Sequence, residues 1–413
     1  MSKDKAILVG VGLKSESFKD LKESLFELEE LIHTAGGEVA GVFTQQVEKF
    51  SPATLMGSGK IEQIKQAVED TDADLVVIDH GLTGVQSRNL EKILDVAVLD
   101  RSQVILDIFA QRAQSYEGQL QVTLAQMLDQ LPRMVGGWMG SLSRLAGGIG
   151  TRGPGESALE MDRRRIHKRI DVIKKKLEVV RKNRAQHRQK RQKKSIPSFA
   201  LIGYTNAGKS TLLNRLTHSD VYEKDELFAT LDPTTRQLYL KGIGDAVITD
   251  TVGFIRNLPT KLIEAFKATL EESTEADILL HVIDLSSETL EAQVKTVEDL
   301  ISEFGWEEKP IVYVYNKLDA SLMDNKFKVN HPKKVLVSAK TGAGIDQLKK
   351  MMTDEILAMT TEVELFFNSQ MEHKFYDLSR VCKISKKESS PSGTFCVAQL
   401  TQKQISEWSG YKA

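Results

Sequence analysis

The chain has 413 residues, 41% hydrophobic and 27% charged, with a formal net charge of −1. Roughly 100–200 residues per domain gives two to four domains, each with enough apolar residues for a core. Two cysteines, Cys382 and Cys396, exclude a disulfide framework and a cysteine-rich metal site. The opening residues carry no signal-peptide pattern and no apolar run is long enough to span a bilayer, so a cytoplasmic protein without a membrane span is expected.

Residues 6–10, 39–43, 75–79 and 97–100 read as strands, with helical patterns between them. Phe18, Leu21, Leu25, Leu28 and Leu31 recur every three or four residues, as do Ile61, Ile64 and Val68, and Leu90, Ile93 and Leu94. Strand and helix alternating in this way predict a small parallel α/β domain over about 1–105. Gly57-Ser58-Gly59-Lys60 resembles half a phosphate loop, but no buried strand precedes it. The spacing favours a loop capping the helix that begins near Lys60 over a second nucleotide site.

Over 106–195 two seams stand out. Phe109, Ala113, Tyr116, Leu120, Leu124, Met127 and Leu131 form one; Ile166, Ile170, Ile173, Leu177 and Val180 form the other. Both step by three and four residues, which predicts an antiparallel helical hairpin standing out as an arm. Residues 163–194 hold sixteen Lys or Arg and only two acids, Asp171 and Glu178, so +14 sits here and −15 on the rest of the chain. Such runs as Arg163, Arg164 and Arg165 repel one another unless phosphates relieve them, which points to a polyanion. Between the helices, 136–155 contain eight glycines together with Trp138, Arg144 and Arg152. A stacking plane and guanidinium groups on a Gly-rich tip (136–156) suit contact with unpaired RNA.

The next region, about 196–360, carries the clearest chemistry. Gly203, Tyr204, Thr205, Asn206, Ala207, Gly208, Lys209, Ser210 and Thr211 fit Gly-x-x-x-x-Gly-Lys-Ser/Thr, between an apolar run at 199–202 and helically spaced Leu212, Leu213 and Leu216. Backbone N–H groups and the helix N-terminus would cradle phosphates; Lys209 would meet the β- and γ-phosphates and Ser210 a Mg²⁺ ion. A polar stretch follows, with Phe228, Ala229, Thr230, Leu231 and Asp232, where a threonine would sense a γ-phosphate and act as a switch. The strand at 246–249 ends in Asp250, Thr251, Val252 and Gly253; Asp250 is placed to hold a Mg²⁺-bound water and Gly253 N–H to sense the γ-phosphate. Strands at 278–283 and 311–315 lead to Asn316, Lys317, Leu318 and Asp319. A carboxylate at 319 accepts two donors from guanine that adenine does not offer. Ser338, Ala339 and Lys340, after a strand at 335–337, would meet the guanine oxygen. Lys209, Thr230, Asp250 and Gly253 are the candidate catalytic set, within a GTP-binding P-loop domain.

These motifs, with Asp100-Arg101-Ser102-Gln103 and the loop 147–156, resemble the HflX family of translation-factor-class GTPases over nearly the whole chain. The resemblance implies that Ser210 and Thr230 hold Mg²⁺, with Thr234 and Thr235 open as substitutes for Thr230. It implies GTP and GDP as ligands, hydrolysis of GTP, and the large ribosomal subunit and its rRNA as partner. It further implies separation or rescue of ribosomes under heat stress, with the Gly-rich loop reaching toward the peptidyl-transferase region. A monomer, partly associated with ribosomes or a membrane surface, is expected. Phe254 stands where Ras-like enzymes carry the water-orienting glutamine, so intrinsic turnover should be slow. Asn206 resembles the arrangement in GTPases that recruit K⁺.

From about 361 to the end, strands at 363–367 and 394–400, helices at 369–381 and near Trp408, and a polar turn at 383–393 predict a small α+β domain. Rival readings are a large-subunit assembly GTPase, a GTP-gated switch for a protein partner, and an ATP-driven RNA remodeller acting through residues 57–60.

Overall fold

The computed structural model describes residues 4–133, 154–193, 196–217, 227–228, 230–257, 273–321 and 330–413. Trp138, Arg144, Arg152 and Ala229 lie outside these residues. The chain divides into two compact units, Met1–Val179 with Glu226–Phe228 and Arg256–Phe266, and Val180–Asp225 with Ala229–Ile255 and Lys267–Ala413.

The first unit opens with a parallel sheet ordered β2-β1-β3-β4, from β1 (Lys5–Leu13), β2 (Glu38–Val47), β3 (Leu75–Ile78) and β4 (Ala97–Asp100). Helices α1 (Phe18–Ala35), α2 (Ser58–Thr71) and α3 (Gly84–Leu94) connect the strands. Leu28 and Leu31 of α1 are fully buried, each contributing about 1.5–3 kcal/mol of apolar transfer energy. Helix α2 starts at Ser58 with Gly57 as its N-cap, and the Lys60 ammonium lies over the Phe43 ring. Thr83 and Gln86 form a capping box at the start of α3.

Asp100 and Gln103 cap α4 (Arg101–Arg112) in the same way. Asp100 also accepts from Arg133 at 2.6 Å, so one buried carboxylate fixes both the start of α4 and the end of α5 (Tyr116–Arg133). Arg101 is buried between Asp79, at 2.9 Å, and Glu27; burial alone would favour the neutral guanidine, but the two carboxylates outweigh it and raise the Arg101 pKa.

The long seam expected from Phe109 to Leu131 is interrupted. The chain leaves the helix after Arg112, and the Ser115 hydroxyl accepts from Gly118 N–H to begin α5 afresh. Phe109 faces a different neighbour, packing edge-on against Phe228 with ring centroids 4.6 Å apart, and Tyr116 is exposed. The rest of the seam holds: Leu120 and Leu124 of α5 pack with Ile170 and Ile173 of α6 (Pro154–Lys193). Arg163, Arg164 and Arg165 are exposed on α6.

The second unit contains a six-stranded sheet ordered β10-β9-β8-β5-β7-β6. Its strands are β5 (Ser198–Gly203), β6 (Thr234–Leu240), β7 (Gly244–Asp250), β8 (Ile278–Asp284), β9 (Ile311–Asn316) and β10 (Lys334–Leu336), with α7 (Lys209–Thr217), α8 (Leu290–Glu303) and α9 (Ile345–Ala358). All neighbours are parallel except β6 with β7. Thr234 and Thr235, the possible substitutes for Thr230, instead begin this edge strand, and the Thr235 hydroxyl meets that of Thr249 at 2.9 Å.

The last domain is a sheet ordered β11-β13-β12, from β11 (Thr360–Asn368), β12 (Lys383–Ser390) and β13 (Gly393–Thr401), with α10 (Glu372–Ser379) and α11 (Gln402–Glu407). The expected polar turn at 383–393 is largely strand β12. As an edge strand it is exposed over most of its length, so no apolar alternation announces it, and its lysines are the kind of residue that protects an edge. Among the described residues no helix is long and apolar enough to cross a membrane.

Candidate nucleotide site

Three strands deliver the site. β5 ends at Gly203, β7 at Asp250 and β9 at Asn316, so the loops that follow them meet beyond the carboxyl edge of one sheet. The central strands are largely apolar, and β8 is buried along nearly its whole length, which places them inside the sheet.

The loop 204–208 turns tightly before α7. Gly208 has φ 85°, and a Cβ there would lie 2.3 Å from Asn316 Nδ2, so only glycine lets the two loops approach. Asn316 uses that approach: Nδ2 donates to Ala207 O at 2.9 Å, and Oδ1 accepts from Ala339 N–H at 3.0 Å. One buried side chain thus joins the phosphate loop, the 316–319 loop and the 338–340 loop.

Lys209 is buried, and its ammonium donates to Tyr204 O at 2.8 Å and Gly203 O at 3.2 Å. Burial pushes its pKa down to about 8, with the Asp250 charge opposing the fall. Thr205 N–H donates to Phe254 O at 2.7 Å, and Phe254 N–H to Gly203 O at 3.1 Å, which seats the 250–254 loop against the phosphate loop. Gly253 lies so close that a Cβ there would come within 2.9 Å of Lys209 Nζ. Phe254 is buried.

The Ser210 hydroxyl is 2.7 Å from Thr230 Oγ1 and donates to Asp250 Oδ2 at 2.6 Å. Asp250 is fully buried; burial pushes its pKa up while Lys209, Ser210, Thr230 and the Thr251 backbone pull it down. Its Oδ1 is buried and has no hydrogen-bond partner among the described residues. Two hydroxyls and the Asp250 carboxylate form a hard oxygen set that fits Mg²⁺. Ser210 and Thr230 would hold the ion and Asp250 a water on it; when bound, the ion supplies positive charge against the phosphates.

At the other end, Lys317 has φ 60°, and its ammonium pairs with Asp284 at 2.9 Å. Asp319 is exposed and accepts a short hydrogen bond from the Ser338 hydroxyl, which holds its carboxyl below the usual range. Leu318 N–H donates to Val337 O at 3.0 Å, which ties the 316–319 loop to the strand end that leads into 338–340. Asp284, at the end of β8, was not among the sequence candidates; a polar residue closing an apolar strand was the available signal. Phe228 is buried in the first unit with φ 54°, and Leu227 N–H there donates to the Thr34 hydroxyl at 3.4 Å.

Three family models match in succession. Residues 22–110 match "GTP-binding GTPase N-terminal", 112–191 "GTP-binding GTPase Middle Region" and 198–317 "50S ribosome-binding GTPase". A GTPase HflX of Caldanaerobacter subterraneus subsp. tengcongensis is 47% identical over 399 residues, covering 97% of this chain and 91% of the relative. The GTPase HflX of Escherichia coli strain K12 is 43% identical over 388 residues, covering 92% and 90%. Among solved structures, the SsGBP–GDP complex is 24% identical, with a TM-score of 0.46, over 86% of this chain and 98% of that one. With relatives this similar over nearly its full length, and with a phosphate loop joined by Asn316 to the 316–319 and 338–340 loops, the chain belongs to the HflX family of GTPases.

Proposed function

We propose that this GTPase binds the large ribosomal subunit in its GTP form and uses that binding to dissociate or rescue stalled or stress-affected ribosomes. GTP hydrolysis then lowers the affinity and releases the factor. The observation that carries the reading is the meeting of Ser210, Thr230 and Asp250 oxygens at 2.6–2.7 Å. A Mg²⁺ ion held there by Ser210 and Thr230 would link the terminal phosphate to the segment around Thr230. That segment lies two residues from Phe228, which packs on Phe109 in the first unit. Phosphate chemistry at one place and the ribosome-binding unit at another would thereby share a short piece of chain.

The partner is argued from charge and kinship. Arg163, Arg164 and Arg165 stand exposed within a segment carrying +14, and counterion release on phosphates favours an RNA surface. The family model over 198–317 is described as ribosome-binding, and the relatives bear the HflX name. Trp138, Arg144 and Arg152 would contribute from the Gly-rich tip. Phe254, buried and without a polar group, cannot orient a water as a glutamine does, so intrinsic turnover is slow and the ribosome stimulates it. The working location is the cytoplasm, and the working form a monomer.

A ligand shifts an equilibrium only through differential affinity, so the factor must bind the free large subunit more tightly than the joined ribosome. Light scattering of intact ribosomes, with sedimentation profiles in GTP, GDP and a non-hydrolysable analogue, tests this. Falling scattering with GTP or the analogue, and little change with GDP, is expected. Unchanged scattering with retained binding to immature large subunits would make it an assembly factor. Absence of any salt-sensitive ribosome binding would leave a switch for a protein partner.

A further inference from the structure

Behind the 316–319 loop lies a polar cluster to which none of the nucleotide motifs refers. Tyr315 immediately precedes Asn316 on β9, and alternation along a strand sends the two side chains to opposite faces. Asn316 faces the phosphate loop. Tyr315 is 1% exposed, and its hydroxyl meets His331 Nδ1 at 2.6 Å. The other ring nitrogen of His331, Nε2, is 3.2 Å from Glu298 of α8. The His331 ring stacks on Tyr313 with centroids 3.6 Å apart and planes within 6°. His281 of β8 adds a tilted ring on Tyr313 at 5.4 Å.

The Glu298 carboxylate only accepts, so His331 Nε2 carries a proton and donates to it. On the other side of the ring Nδ1 is hydrogen-bonded to the Tyr315 hydroxyl, so one ring ties α8 to β9. Every member has one preferred orientation. Apolar packing would cover Tyr315 without fixing its rotation; a directional chain fixes it.

We propose that His331 is a positioning residue for guanine recognition, locking Tyr315 and through it the loop of Asn316 and Asp319. His331 lies in the segment leading into β10, and β10 leads into Ser338, Ala339 and Lys340. The cluster therefore joins the strands behind both guanine-facing loops. Backbone bonds continue the link: Tyr313 N–H donates to Lys333 O at 2.8 Å and Val337 N–H to Tyr315 O at 2.8 Å. Lys209, Ser210, Thr230 and Asp250 stand on other segments, so loosening His331 weakens the hold on the base and leaves the phosphate end in place. This inference rests on the reading that Asp319 and the 338–340 loop hold guanine.

The test measures release of a fluorescent GDP by stopped flow, and GTPase KM and kcat, for His331→Ala, Tyr315→Phe and His331→Gln in the full chain. Losing one or two hydrogen bonds should speed release about five- to tenfold in His331→Ala. KM should rise similarly, with kcat at saturation within about twofold. Tyr315→Phe should give a smaller change in the same direction, and keeps the test open should His331→Ala fold poorly. In His331→Gln, an amide that can both donate and accept should recover part of the loss. Unchanged release and KM in Tyr315→Phe and His331→Ala, or a fall in kcat with KM unchanged, would overturn the assignment. Asp319→Asn is measured alongside against xanthine nucleotides. Retained guanine preference there would sink the guanine reading itself, whereas a switch to xanthine with unaltered His331→Ala release would sink the positioning role alone.

Discussion

Asn316 donates to the Ala207 carbonyl at 2.9 Å across 109 residues of chain, and so holds the phosphate loop against the 316–319 loop. Its other amide atom accepts from Ala339 N–H. Asn316→Ala removes both bonds and leaves a buried N–H unpaired, at about 1–3 kcal/mol. Weaker binding of GDP and GTP alike, by about 10–100-fold, is expected in a fluorescent-nucleotide titration. Binding within twofold of the parent would show that the loops are held by something else.

Ser210 offers one hydroxyl to two partners, Thr230 and Asp250. Ser210→Ala should leave the phosphate loop folded, because none of its backbone bonds uses that oxygen. The half-saturating Mg²⁺ concentration for GTP hydrolysis should rise at least about tenfold, as expected when a directly bound ligand is lost. An unchanged Mg²⁺ dependence would remove Ser210 from the metal site.

Much of this was legible in the sequence, for identifiable reasons. Buried parallel strands are continuous apolar runs, so 199–202 and 278–283 stood out and the motifs at their ends could be placed. The edge strands β6 and β12 lack that signal: β6 begins with Thr234-Thr235-Arg236, and β12 is mostly polar, so neither announced itself. The break after Arg112 was hidden because apolar spacing continues through it while the helix does not. Pairs such as Lys317–Asp284 and His331–Tyr315 depend on adjacency between strands, which no local spacing records.

Asp319 is exposed and held ionised by the Ser338 hydroxyl and two nearby lysines, Lys340 and Lys317. On the proposed guanine reading, a carboxylate there would accept from N1–H and the exocyclic amine of the base. In Asp319→Asn one acceptor becomes a donor, which suits the second carbonyl of xanthine instead. Competition between GTP and XTP in a turnover assay should reverse its preference. A variant that still prefers GTP would contradict the role given to Asp319.

Asn206 sits in the phosphate loop with φ 60°, and the 250–254 loop lacks a water-orienting side chain at Phe254. A monovalent cation beside the phosphates could supply some of the missing charge stabilisation. Basal GTP hydrolysis should therefore be faster in K⁺ than in Na⁺ at equal ionic strength, and Asn206→Ala should erase the difference. Equal rates in the two salts for the parent protein would exclude K⁺ as a cofactor.

His281 is buried in β8, its Nδ1 unpaired among the described residues, and its pKa is pushed down to about 3, first by burial and then by His331 and Lys209. In the unfolded chain a histidine titrates near 6.5, so between about 6.5 and 3 the unfolded state holds one more proton. Stability from this group is therefore full above about pH 6.5 and falls as the pH drops toward 3. The loss should reach about 2 kcal/mol by pH 5. Urea titrations at pH 7 and pH 5 should show that loss in the parent. In His281→Phe, which keeps a ring but cannot titrate, the difference between the two pH values should shrink by about the same amount. An undiminished difference would mean that His281 takes up its proton inside the fold, and that the cost of acid lies elsewhere.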